Sequence, residues 1–217
     1  KWHGNDQLLN NEYDFWKMAH EGERFFHGSP SGIDTGLSMR KGMYLFHPRP
    51  PDIPDFTELR APDLVLLVAA VSRTLDTARL VALLRERMKT DASIHDSLRE
   101  LGELSLAALD RLSTRGANLS ALGKLADKAH SILSSFELSS EGVDLLLDFG
   151  RNNAALGGKL SGAGGGGALY LIMPEKETAF KAREAMKKFA TSKRIDLKFC
   201  ECIEYKKETD LDIQVSE

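Results

Sequence analysis

Cysteine is almost missing from this 217-residue chain, and so are long apolar runs and an excess of one charge. Cys200 and Cys202 stand two apart in what reads as a strand, where both face one side. Neither a disulfide framework nor a four-ligand zinc site can be assembled from them, and they read as reduced packing residues. No apolar run approaches the ~20 residues of a membrane-spanning helix, and no signal-peptide pattern stands at the start of these residues. The 29 Lys and Arg nearly offset the 32 Asp and Glu, leaving a net charge of -3. That balance gives no whole-molecule field for drawing in nucleic acid or an anionic membrane. Neither is an expected partner, and the default setting is cytoplasmic. What is present is 42% apolar residues, enough to bury a core in one large or two small domains.

The pattern of these residues predicts an α+β chain. From Asn11 to Phe26 the residues Phe15, Trp16, Met18, Ala19, Phe25 and Phe26 gather on one side at 100° per residue, as in an amphipathic helix. "KGMYLFHPRPPDIP" reads as a short strand stopped by four prolines, and the stretch from Pro48 to Pro54 as a domain boundary. "DLVLLVAAV" (63–71) suits a buried strand. Helical spacing then recurs over Thr77–Lys89, Ser97–Leu112, Leu119–Phe136 and Ser140–Asn152, predicting a small bundle. A glycine-rich turn, the strand "ALYLIM", a helix after Pro174 and the strand "LKFCECIEY" complete the chain. Strands separated by helices in this order, with a mixed sheet packed on one side, predict a ferredoxin-like domain enlarged by helices.

Three features point to chemistry. "GAGGGG" (162–167) contains G-x-G-x-x-G, but a dinucleotide loop runs from a strand into a helix, whereas here a helix is expected before the glycines and a strand after them. So dense a run resists regular structure, since each glycine adds backbone freedom at roughly 0.5–1 kcal/mol relative to alanine. Either its backbone comes close to a phosphate or another tight loop, or it is a plain wide turn. Glu23 falls at the margin of the first helix's apolar face, where a carboxylate needs a cation, a metal or hydrogen-bond donors. In "PSGID" (30–34), Pro30 and Gly32 bend the backbone and Ser31 is placed to cap a helix starting near Ile33. Asp34 then lies in that helix's first turn, where it serves either a site or the helix dipole. His27, taken alone, reads as a packed histidine rather than a catalytic one.

Together, "GERFFHGSPSGID" (22–34) and "KLSGAGGGG" (159–167) resemble the mevalonate kinase branch of the GHMP kinase superfamily. The resemblance implies residues 1–60 as the end of an N-terminal S5-like domain and 61–217 as the ferredoxin-like C-terminal domain. It implies Asp34 as the catalytic carboxylate, Glu23 as the Mg²⁺ ligand and His27, Ser31 and Thr77 on the substrate side. Gly162, Ala163, Gly164, Gly165 and Gly166 would support the phosphate loop. Mevalonate and ATP with Mg²⁺ are the implied ligands, and a homodimer is left open. One carboxylate for the metal and one for the alcohol suits phosphoryl transfer. Without the cation, a carboxylate ~4 Å from a phosphate charge would be repelled by about 4 kcal/mol at an effective dielectric near 20.

The family's phosphate-binding motif and an early lysine precede the region matched here, and residues 1–22 contain no substitute for them. The expectation is therefore the carboxyl-terminal part of a longer kinase, inactive without its N-terminal segment. A kinase of the same superfamily acting on another small alcohol and a non-catalytic binding module are the alternatives.

Overall fold

The computed structural model describes residues 12–27, 30–40, 42–49, 52–59, 62–73, 77–113 and 118–206, leaving aside the side chains of residues 12, 26, 27, 78 and 113. The chain divides into two units, Lys1–Arg60 and Ala61–Glu217.

The first unit contains helices α1 (Glu12–His27) and α2 (Ile33–Met39), followed by an antiparallel hairpin of β1 (Met43–Arg49) and β2 (Asp52–Leu59). Its centre is aromatic. Trp16 of α1 is buried and lies with its ring 4.3 Å from that of Phe56, which also meets Phe46 at 4.3 Å. The proline-rich stretch from Pro48 to Pro54 is not a domain boundary. Pro48 lies inside β1 and Pro54 inside β2 of this hairpin, while Pro50 and Pro51 lie outside the described residues. A proline has no N–H to give a ladder, and the register accordingly shifts between His47 and Arg49.

The second unit carries β3 (Leu64–Val71), α3 (Thr77–Thr90), α4 (Ser93–Ser113), α5 (Leu119–Ser135), α6 (Glu141–Asn152), β4 (Gly157–Leu160), β5 (Gly167–Met173), α7 (Lys176–Ser192) and β6 (Leu197–Tyr205). The strands form one sheet in the order β4-β5-β3-β6, a ferredoxin-like arrangement as the sequence predicts, but antiparallel throughout rather than mixed. β3 lies inside the sheet, which explains its unbroken apolar run. Leu67, Ala69 and Val71 of β3 join Leu160, Leu169, Leu171, Cys200, α6 (Val143, Leu146, Leu147) and α7 (Ala179, Ala182, Met186, Ala190) in one core. Each fully buried leucine there contributes about 1.5–3 kcal/mol. Cys200 sits in this core and Cys202 packs against it, both unpaired.

Two further expectations need correction. The four helices are not a separate bundle: α5 and α6 pack against strands, while α4 rests on α5 and α3 on α4. α6 presents Val143, Leu146 and Leu147 on one face, and the sheet is the apolar surface able to bury them. The glycines are also entered from a strand rather than a helix, because β4 intervenes. Its four residues, two of them glycine, carry too little β pattern to be read. The loop joins two antiparallel strands and opens no helix, so the dinucleotide pattern stays excluded.

Candidate active site

In the first unit, the site is built around Gly32. Its φ of 73° lies in the left-handed region, and an added Cβ would come within 2.8 Å of Pro54 Cδ and 3.1 Å of His20 Nδ1. Only glycine fits this turn without strain. Trp16 Nε1 donates to Gly32 O at 3.0 Å in a buried bond, so α1 fixes the entry to α2. Ser31 is not the cap that the sequence predicts: the N-cap position of α2 is Gly32, without a side-chain cap, and the Ser31 hydroxyl accepts only locally from Ile33 N at 3.3 Å. Asp34 follows in the first turn of α2 and is exposed, while its carbonyl accepts from Ser38 Oγ at 2.8 Å.

Glu23 is half-buried on α1, and Thr35 Oγ1 lies within 3.3 Å of both Glu23 Oε2 and Gly32 O. The residue next to Asp34 thus holds the Glu23 carboxylate at the start of α2. The partner is a hydroxyl, not the Lys or Arg that a simple ion pair would supply. Among the described residues no group of three or more His, Cys, Asp or Glu could hold a metal by itself. A cation at Glu23 would draw most of its ligands from phosphate and water, as Mg²⁺ commonly does. The donor set fits on that basis. His27 closes α1, but its side chain lies outside the described residues.

In the second unit, Gly162, Gly164, Gly165, Gly166 and Gly167 all have positive φ. Gly162 is exposed, Ala163 is half-buried, and the other four are buried. The reason for the missing side chains is contact with two other loops. A Cβ on Gly164 would lie 1.9 Å from Leu138 O, and one on Gly166 would lie 2.3 Å from Ser72 O. Gly165 N donates to Leu138 O at 2.8 Å. The turn is closed at its base by Ser161 N donating to Ala168 O at 2.8 Å. Arg73 crosses the loop near Gly162 and Gly167, so a cation accompanies the glycine backbone. Thr77 is exposed at the first position of α3.

The strand entering the loop carries Lys159, whose Nζ donates to Leu160 O at 2.7 Å and sits 5.5 Å from the Tyr170 ring centre. Burial lowers the Lys159 ammonium pKa and pushes the Tyr170 hydroxyl up to about 12.

Thr35 and Trp16 were missed as supports of the carboxylates, and Leu138 as a support of the loop. For Thr35 the signal was a hydroxyl residue directly after Asp34 in a short helix. Leu138 offered none, because it acts through its backbone.

Residues 94–191 match the family model "GHMP kinases C terminal". The fold is that of the GHMP kinases, and the matched residues lie within the second unit. Among the proteins it resembles are mevalonate kinases. That of Thermococcus onnurineus is 29% identical over 174 residues, covering 78% of this chain and 50% of the relative. That of Aeropyrum pernix is 31% identical over 176 residues, covering 76% and 50%. The L. major mevalonate kinase solved in complex with R-mevalonate superposes with a TM-score of 0.78 at 23% identity, covering 94% of this chain and 61% of that one. The chain spans about half the length of the curated relatives it matches.

Proposed function

We propose that this chain contributes the alcohol-side and metal-binding carboxylates of an ATP-dependent kinase that converts mevalonate to 5-phosphomevalonate and ADP, a step of isoprenoid precursor synthesis. The observation that supports the reading is Thr35: its hydroxyl reaches Glu23 of α1 while its chain neighbour is Asp34, so one carboxylate of the 22–34 motif is held beside the first turn of α2, where the other stands.

In this reading Asp34 orients the primary alcohol and receives its proton as the alcohol oxygen bonds to the γ-phosphorus. The bond from that phosphorus to the bridging oxygen breaks, and ADP leaves with the electron pair. Glu23 directs its carboxylate to Mg²⁺, which when bound offsets the charge of the triphosphate. His27, Ser31 and Thr77 contact the substrate, and Gly162 to Gly166 with Ala163 keep backbone close to the reacting groups. Residues 1–60 serve as the end of the N-terminal kinase domain and 61–217 as its C-terminal domain.

The relatives are about twice as long as the matched region, so the row of backbone N–H groups that cradles ATP is assigned to sequence beyond these 217 residues. The test is ADP release with mevalonate set against other primary alcohols, on the polypeptide that carries these residues. Mevalonate is expected to give the highest kcat/KM with strict dependence on Mg²⁺. A higher value for another alcohol would move the assignment elsewhere in the superfamily, and failure to bind nucleotide would leave a binding module. The 217 residues alone are expected to give no useful turnover, which the same assay checks directly.

A further inference from the structure

The sheet edge formed by β4 is closed by side chains. In an antiparallel edge strand, alternate N–H groups point away from the partner strand and must find other acceptors. Here Gly158 N donates to Asp127 Oδ1 at 3.0 Å and Leu160 N donates to His130 Nδ1 at 3.4 Å, both acceptors lying one turn apart on α5. Gly123 of α5 and Gly157 of β4 allow this approach, since a Cβ on either would lie 2.1 Å from a carbonyl oxygen of the other segment.

His130 is buried, and its second nitrogen, Nε2, lies 3.0 Å from Asp144 Oδ1. Acceptance at Nδ1 places the proton on Nε2, which donates to the carboxylate. Ser139 Oγ donates to the same carboxylate oxygen. Ser139 directly follows Leu138, whose carbonyl receives Gly165 N. One imidazole is therefore connected to both anchors of the glycine loop, Leu160 at its entry and Leu138 at its middle.

We propose that His130 is a positioning residue that holds the 161–167 loop through its neutral imidazole, with Leu160 N on Nδ1 and Asp144 on Nε2, and that protonating it releases the loop. A proton on Nδ1 removes the acceptor and sets two N–H groups against each other. The charged groups around it are Asp144 and Arg151 of α6, Lys159 of β4, and Asp127 on α5, with Asp148 at the rim. Burial, the largest influence, lowers the His130 pKa, and Arg151 and Lys159 act in the same direction against the pull of Asp144. The inference bears on catalysis only through the kinase reading, but the positioning stands apart from it.

The experiment is hydrogen exchange on the whole chain, read on peptides covering 158–168, from about pH 8 down to about pH 5 with correction for intrinsic rates. His130→Leu is expected to raise exchange in the loop at least about tenfold while α7 and β6 keep wild-type protection. His130→Asn, whose amide oxygen stands near the place of Nδ1, is expected to keep wild-type protection near neutral pH and to abolish the acid-induced loosening. Unchanged loop protection in His130→Leu, or the same acid loosening in His130→Asn as in wild type, would overturn the proposal. Should His130→Leu lose protection throughout, the comparison of wild type with His130→Asn decides alone. Inactivity toward every alcohol in the longer polypeptide that carries these residues, with the exchange results as expected, would sink the kinase reading and leave this one standing.

Discussion

At the scale of single residues, the two carboxylates differ in what their removal should do. Asp34 is exposed. Asp34→Asn is therefore expected to leave the melting temperature unchanged and to lower kcat by at least ~10²-fold, the range of lost acid–base assistance. Steady-state kinetics beside a thermal melt checks both halves, and an unchanged kcat would remove Asp34 from the mechanism. Glu23→Gln keeps an oxygen for Thr35 while losing the charge, so its effect is expected mainly in the Mg²⁺ concentration needed for half-maximal rate.

The glycines can be separated in the same way. Gly164 has a φ of 90° and no room beside Leu138 O, whereas a Cβ on Gly162 would meet only Arg73 Nη2 at 3.9 Å. Gly164→Ala is expected to cost about 2 kcal/mol or more, from backbone strain added to a clash with main chain. Gly162→Ala should cost about 1 kcal/mol, the left-handed backbone alone. Denaturant unfolding of the two variants gives the difference, and equal losses would mean that the contact with Leu138 does not matter.

Among the elements, α5 and β4 show how a helix can secure a strand. The α5 face bearing Leu122, Ala126 and Ile132 was legible as apolar spacing. Gly123 and His130 lie on the buried side as well, seven residues apart, and Asp127 stands three before His130. That polar pair has meaning only against the outward N–H groups of β4, which lie about thirty residues further along the chain. The neutral imidazole also sets a pH dependence. A histidine whose folded pKa is depressed gives stability that is fully present above its unfolded value of about 6.5 and is lost as pH falls through the folded value. The melting temperature is expected to fall below about pH 6.5 in wild type and to fall less in His130→Asn. The carboxylates with lowered pKa values, the exposed Asp91 and Asp196 and the half-buried Glu201, act in a more acidic window, below about pH 4.5.

For the molecule as a whole, the two units have different kinds of core. The first packs aromatic rings around Phe56, and the second buries aliphatic side chains between a four-stranded sheet and its helices. No helix among the described residues is long and apolar enough to cross a membrane. The fold is that of a family whose mevalonate kinases are about twice as long as the stretch they share with this chain.

The sequence by itself determined the order of most elements, the ferredoxin-like arrangement and the two motifs, because helical periodicity, apolar runs and turn residues are local properties. "LKFCECIEY" and the helix after Pro174 were readable for that reason. Only the tertiary structure decided that Pro48 and Pro54 lie in paired strands, that β4 exists, that Thr35 engages Glu23, and that the glycines are bare because Leu138 and Ser72 lie against them. Each of these depends on a group brought near by folding, often as a backbone atom that every residue carries. Such an atom leaves no mark in the order of side chains.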